Sequence, residues 1–132
     1  MGNYASARID YYGNRNQFKQ IFWNLLKNGM KAMPEGGSLT VDFTKNEIEQ
    51  TALCFSDTGL GMKAEEKDRL FEPFYSGFSS GQGIGMAVVR RIVDDYNGQI
   101  EVDSVPGSGT SITIILPPSS GPADENINEE QQ

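Results

Sequence analysis

The sequence predicts an α/β fold of the α+β two-layer kind, with helices packed on one face of a mixed sheet. Two observations carry this. Three segments repeat apolar residues at three- or four-residue spacing, and four short segments alternate or run apolar between turns rich in Gly, Pro and Asn. Their order is helix, two strands, helix, loop, helix, two strands, and each helix has one apolar stripe. Seating those stripes on a sheet is the simplest way to bury them.

In residues 17–33, Phe18, Ile21, Phe22, Leu25, Leu26 and Met30 share one helical face and predict the first helix. Pro34 blocks its continuation, and Gly36 and Gly37 turn the chain. Residues 39–44 alternate as a strand with one wet face does, and residues 51–56 form a second strand. Residues 64–71 read as a short helix. Residues 72–82, rich in Gly, Ser and aromatics, have neither period and read as a loop. Helical spacing resumes over residues 84–96 through Ile84, Val88, Ile92 and Val93, with Asn97-Gly98 as the stop. Residues 99–105 and 110–116 then close the chain as a hairpin across Pro106-Gly107-Ser108-Gly109. From Pro117 the composition is too poor in apolar groups to offset its ordering entropy. The expected organisation is one domain over residues 1–116 and a disordered acidic tail over 117–132.

Composition narrows the function. No apolar run approaches the roughly 20 residues of a membrane helix, and the first residues lack the apolar centre of a secretory signal, so a cytoplasmic location with no direct membrane contact from this chain is expected, either by itself or as the cytosolic part of a membrane-bound parent. The net charge is −7, and four of the excess carboxylates lie in residues 117–132. With cations adjacent only at Arg90-Arg91, a nucleic-acid partner is disfavoured. The single cysteine, Cys54, sits in an apolar run and reads as a small buried thiol. The sequence contains no histidine, which excludes His-based acid–base catalysis, His–metal sites and a phosphoacceptor histidine within these residues.

Three groups of residues have chemical potential. Asn24 and Asn28, four apart on the first helix, project from one side with Lys27 and Lys31 nearby. On spacing alone a polar helix flank is the simpler reading, although an amide oxygen suits Mg²⁺, which retains waters and shares phosphates with few protein groups. Asp57-Thr58-Gly59-Leu60-Gly61-Met62 follows directly on an apolar strand. That is either a turn or a carboxylate held to accept a hydrogen bond from an exocyclic amine such as adenine's. Gly81-Gln82-Gly83-Ile84-Gly85 precedes the last helix, where exposed backbone N–H groups and the helix dipole favour an anion. No strand leads into this segment and no Gly-Lys-Ser/Thr follows, so it is neither a dinucleotide fingerprint nor a P-loop.

The order of these pieces resembles the histidine-kinase branch of the superfamily shared by gyrase, the heat-shock chaperone ATPases and the mismatch-repair ATPases. The resemblance spans about residues 14–117. The segment from Gln20 to Asn28 resembles the asparagine box, and Asp57-Thr58-Gly59-Leu60-Gly61 the first glycine box. Phe71-Glu72-Pro73-Phe74 resembles the phenylalanine box at the start of the ATP lid, Gly81 to Gly85 the second glycine box, and Gly107-Ser108-Gly109-Thr110 the terminal glycine-threonine signature.

The resemblance implies the Bergerat fold with ATP and Mg²⁺ as ligands. It implies that Asn28 binds Mg²⁺, Lys31 approaches the phosphates, and Asp57 hydrogen-bonds the adenine amine. Gly59 and Gly61 would shape the base pocket, Thr110 would support Asp57, and Gly81, Gly83 and Gly85 would receive the phosphates. Met62 or Ile84 would pack on the base, because Ala32 replaces an aromatic found there in some kinases.

Asn24 stands where the hydrolytic branches carry a glutamate that activates water, and an amide has no useful basicity near neutral pH. Transfer to an external acceptor is therefore expected, and an anti-sigma-factor type of serine kinase is disfavoured. The implied partners are a histidine-containing dimerisation domain, in the same parent protein or in trans, and a downstream response regulator. Residues 75–80 contain no Lys or Arg where many relatives offer one to the terminal phosphate. Two further readings stand beside phosphotransfer: an ATP-hydrolysing switch, and a nucleotide-binding sensor or interaction module of the same fold.

Overall fold

A computed structural model describes residues 11–73 and 85–118. Its elements are α1 (Arg15–Lys31), β1 (Leu39–Lys45), β2 (Thr51–Asp57), α2 (Ala64–Asp68), α3 (Gly85–Asp95), β3 (Gln99–Val105) and β4 (Gly109–Leu116). The strands form one sheet in the order β1-β2-β4-β3, and α1 and α3 pack together over one face of it.

The two-layer class matches the expectation; the strand pairing is a correction. Among the described residues every neighbouring pair is antiparallel, so this sheet is not mixed. The helical connection from β2 to β3 does bring β3 back parallel to β2, but β4 inserts between them. Each of the two hairpins contributes an antiparallel pair, and the central β2–β4 pair joins them.

Helix α1 begins two residues earlier than its apolar pattern, because the Asn14 side chain accepts a hydrogen bond from the Gln17 N–H at 3.0 Å and caps the first turn. Ile21 and Leu25 enter the core with Leu53, Phe55, Val89, Ile92, Val93, Ile112, Ile114 and Leu116. Met30, expected on this face, is 53% exposed, and Gly29 takes the buried position instead. Helix α2 stops at Asp68 rather than residue 71, and its final residues run into turns, with Leu70 N–H on the Lys67 carbonyl and Glu72 N–H on that of Arg69. At the end of α3, Asn97 adopts φ 60° and Gly98 N–H returns to the Val93 carbonyl at 2.9 Å, a left-handed stop that Asn tolerates. Cys54 is only half-buried, because the alternation of β2 turns it to the face away from the helices, 3.6 Å from the Ser56 hydroxyl.

The start and finish of the described chain meet at one pole. Tyr11 O–H donates to the Pro117 carbonyl at 2.7 Å, and the rings of Tyr11, Phe18 and Tyr96 pack together. Residues 119–132, on which the expected tail chiefly falls, lie outside the described set.

Burial, and secondarily Tyr96, raises the Tyr11 phenol above its ordinary value of 10.0. The folded state therefore favours the neutral phenol. This contribution is complete below that ordinary value and is lost as pH rises through the higher folded one. Tyr11→Phe is expected to cost about 1 kcal/mol near neutral pH. The difference between variant and parent should shrink on the alkaline side, as checked by urea denaturation across pH.

Candidate functional site

The site is assembled along the inner edge of α1, roughly one helical turn per component. At Asn24 the neighbour is the first residue of α3: a β-carbon on Gly85 would stand 2.6 Å from Asn24 Oδ1. One turn on, Gly29 faces the end of β2, where a β-carbon would lie 3.6 Å from Asp57 Oδ2 and 3.0 Å from Leu39. At the end of the helix the Ala32 carbonyl accepts from Leu60 N–H at 2.9 Å, and a β-carbon on Gly59 would sit 2.3 Å from the same oxygen. Asn24, Asn28, Asp57 and Gly59 thus share one side of the molecule although they span two elements and a loop.

Asp57 is half-buried at the end of β2, opposite Leu39 on β1 and Thr110 on β4. Its Oδ1 accepts from Gly59 N–H at 2.9 Å and from Thr110 N–H at 3.3 Å. Among the described residues Oδ2 accepts no hydrogen bond. The carboxylate is therefore held by one oxygen and offers the other. Thr110 supports Asp57 through its backbone N–H, whereas its buried hydroxyl pairs with Ser104 Oγ at 2.7 Å.

Asn28 is half-buried and its side chain has no hydrogen bond among the described residues, which leaves its amide oxygen available. Lys31 is exposed on the last turn, one turn beyond Asn28, and among the described residues it forms no ion pair. Lys27 points outward over the Trp23 ring, 5.6 Å from its centroid. Met62 packs against the core and donates its N–H to Ser104 Oγ at 2.8 Å. Gly61 is committed to the fold: it has φ 70°, and a β-carbon would meet the Val105 carbonyl at 2.0 Å. Gly81, Gly83, Ile84 and residues 75–80, where a lid is expected, lie outside the described set. Among the described residues, no group of three or more His, Cys, Asp or Glu side chains could hold a metal.

Two contributors were not anticipated. Ser104 ties the loop after Asp57 to the β3–β4 hairpin through Met62, Gly109 and Thr110. The signal for it is a polar residue at the inward phase of β3, after Ile100 and Val102. Gly29 allows α1 to approach Asp57, and an isolated glycine within a helical pattern marks such a position.

Residues 13–120 match the family described as histidine kinase-, DNA gyrase B-, and HSP90-like ATPase, and the chain belongs to that family. Sporulation kinase E of Bacillus subtilis (strain 168) is 37% identical over 119 residues, a match covering 90% of this chain and 16% of that protein. The signal transduction histidine-protein kinase AtoS of Escherichia coli (strain K12) is 33% identical over 124 residues, covering 86% and 20%. The sequence thus spans about a sixth to a fifth of these relatives. Among solved structures, the mycobacterial sensor histidine kinase MprB superposes with a TM-score of 0.74 at 28% identity, covering 83% of this chain and 75% of that one. Full-length ShkA in complex with AMPPNP gives a TM-score of 0.71 at 25% identity, covering 80% and 22%. The architecture is accordingly the Bergerat α/β fold of histidine-kinase catalytic domains.

The hairpin supplies a test of how the site is held. Gly107 and Gly109 both have positive φ, at 84° and 110°, but a β-carbon on Gly107 meets nothing within 4 Å, whereas one on Gly109 lies 2.1 Å from the Asp57 carbonyl. Gly107→Ala is expected to cost about 1 kcal/mol from backbone strain alone. Gly109→Ala adds overpacking against backbone and should cost about 3 kcal/mol or more, as read by chemical denaturation.

Proposed function

We propose that this chain binds Mg²⁺-ATP and donates the γ-phosphoryl group to a histidine on a separate dimerisation domain, as the catalytic domain of a sensor histidine kinase. The observation that carries the reading is the half-engaged Asp57 carboxylate: Oδ1 is anchored by two backbone N–H groups while Oδ2 accepts nothing among the described residues. A fixed acceptor of this kind suits the exocyclic amine of adenine and meets a carbonyl in the corresponding place on guanine. The AMPPNP complex of ShkA, a protein of the same fold, supports a nucleotide in this role.

Asn28 is the residue that would hold the magnesium ion. Its free amide oxygen is a hard ligand, and a cation that keeps its waters and draws further oxygens from phosphate fits a site without clustered carboxylates. When bound, the ion would neutralise charge developing on the phosphates. Lys31 offers a point charge beside them, and the glycines at 81, 83 and 85 offer backbone N–H groups. Asn24 occupies the position of a general base without supplying one, which protects the phosphoryl group from water and leaves it for transfer. In that step the γ-phosphorus–oxygen bond to ADP breaks as a bond to the acceptor nitrogen forms. The sequence holds no histidine, so the acceptor must come from another domain, and a response regulator would take the group from it.

Calorimetric titration should find ATP preferred over GTP, with affinity raised by Mg²⁺. Asp57→Asn, which keeps the shape but places a donor toward the amine, should weaken ATP about ten-fold or more and erase the preference. Asn28→Ala should remove the Mg²⁺ effect and leave metal-free nucleotide binding nearly unchanged. Incubation with labelled ATP should give no acid-labile label on this chain alone and should label a cognate dimerisation domain added in trans. ATP binding with no transfer to any such domain would instead favour a nucleotide-sensing interaction module, consistent with the absence of Lys and Arg from residues 75–80.

A further inference from the structure

The outward side of α1 has a charge pattern that the nucleotide site does not use. Arg15, Lys19, Trp23, Lys27 and Lys31 follow one another at four-residue intervals along the whole helix, and all five are exposed. Each such step overshoots a full turn by about 40°, so the row winds across the solvent side while rising about 24 Å from end to end. The helix contains no Asp or Glu, and among the described residues none of these four cations meets a carboxylate. At the middle of the row Trp23 is 58% exposed. A solvated helix face ordinarily mixes both signs. Here a chain of net charge −7 gathers four of its eleven cations, and its one tryptophan, into a single strip.

The described chain ends beside the start of this strip. Through the Tyr11–Pro117 hydrogen bond and the Tyr11–Phe18 ring contact, with centroids 6.0 Å apart, the chain leaves the sheet beside the amino end of α1. The following sequence contains Asp124, Glu125, Ile127, Glu129 and Glu130 and no Lys or Arg. Asp124 and Glu130 lie six and twelve residues beyond Pro118, reaches of about 20 and 40 Å at roughly 3.3 Å per extended residue. The order is two acids, an isoleucine and two acids; on the helix it is two cations, a tryptophan and two cations. The centres of the two acid pairs lie about 16 Å apart in extended chain, against about 18 Å between the centres of the cation pairs along the helix.

We propose that residues 124–130 dock on the outer row of α1, setting Asp124 and Glu125 against one cation pair, Glu129 and Glu130 against the other, and Ile127 on Trp23. Lys31 ends the row beside the place given above to the nucleotide phosphates. A docked tail would therefore compete with them, and that consequence alone rests on the nucleotide reading.

Trp23, the sole tryptophan, lies in the middle of the proposed contact and reports on it directly. Acrylamide quenching of its fluorescence is compared, without nucleotide, between the native chain and a variant carrying Asp124→Asn, Glu125→Gln, Glu129→Gln and Glu130→Gln. A neutral quencher is not itself drawn to the basic strip. At about 20 mM salt the native chain should be quenched about two-fold less, and the difference should vanish near 0.5 M salt, where the Debye length falls to a few ångströms. Lys19→Gln with Lys27→Gln in the native chain should raise quenching to the level of the tail variant. Equal quenching of native and tail-neutralised chains at low salt would overturn the proposal. So would a difference that disappears on about fifty-fold dilution, since the acids would then come from a second copy. A three-fold or so gain in ATP affinity on neutralising the tail would establish the competition. Failure to bind ATP at all would remove the nucleotide reading and leave docking to stand on the quenching.

Discussion

The seating of α1 against the ends of the strands is the constraint on which the site depends. A helix lying over a sheet normally keeps its distance because side chains from both layers fill the gap. Here the gap closes twice, at Gly29 over Asp57 and at Ala32 over Gly59, where one or both partners bring almost no side chain. The approach is close enough for the Ala32 carbonyl to take a hydrogen bond from the loop after β2. Leu25 and Ile21, buried one and two turns before Gly29, anchor the helix in this position. Asn24 and Asn28 are placed by the same anchoring, because their positions around the helix are set once the apolar stripe is buried.

A second set of contacts converts that approach into a defined carboxylate. The loop after Asp57 is held from both sides, by Ala32 on the helix and by the β3–β4 hairpin. There Gly107 N–H reaches the Leu60 carbonyl at 2.7 Å, and Ser104 accepts from Met62 N–H. Within this frame two backbone N–H groups take one oxygen of Asp57 and leave the other. Backbone donors are well suited to this task, because they are part of the hairpin and loop geometry and lose little entropy when they engage. The glycines of the motif from Asp57 to Gly61 therefore have a structural duty, whatever they contribute to binding: Gly59 and Gly61 each occupy a point where another backbone passes at atomic contact.

The outer face of α1 and the outer face of the sheet also differ in charge. The outer face of α1 carries only cations, whereas the sheet face turned away from the helices carries Asp42, Glu101 and Asp103, all exposed. In the proposed reading the nucleotide phosphates approach the end of α1 that carries Lys31, so this helix combines a ligand-facing edge and a cationic outer strip. An acidic chain with one basic helix can thus hold a polyanionic ligand without a basic overall composition.

Much of this was legible in the linear sequence, for a physical reason: secondary structure and binary pattern are local. The period of Phe18, Ile21, Phe22 and Leu25, the alternation of Ile112, Ile114 and Leu116, and the Asn97-Gly98 stop each depend on neighbours within a few residues. They marked the elements to within a few residues at each end. The five motifs in order indicated the family, and the family match over residues 13–120 bears that out. What tertiary structure decided was everything involving two distant segments. Strand order belongs here, because nothing local tells β3 that β4 will insert beside β2. So does the exposure of Met30, whose helical phase lies at the margin of the buried arc, where the neighbouring elements decide what is covered. The same holds for Gly29 and Ser104, which matter through partners 28 and 42 residues away, at Asp57 and Met62 respectively. Thr110 was legible as a support for Asp57, but whether its hydroxyl or its backbone did the supporting depended on the register of β4 against β2, which no single segment contains.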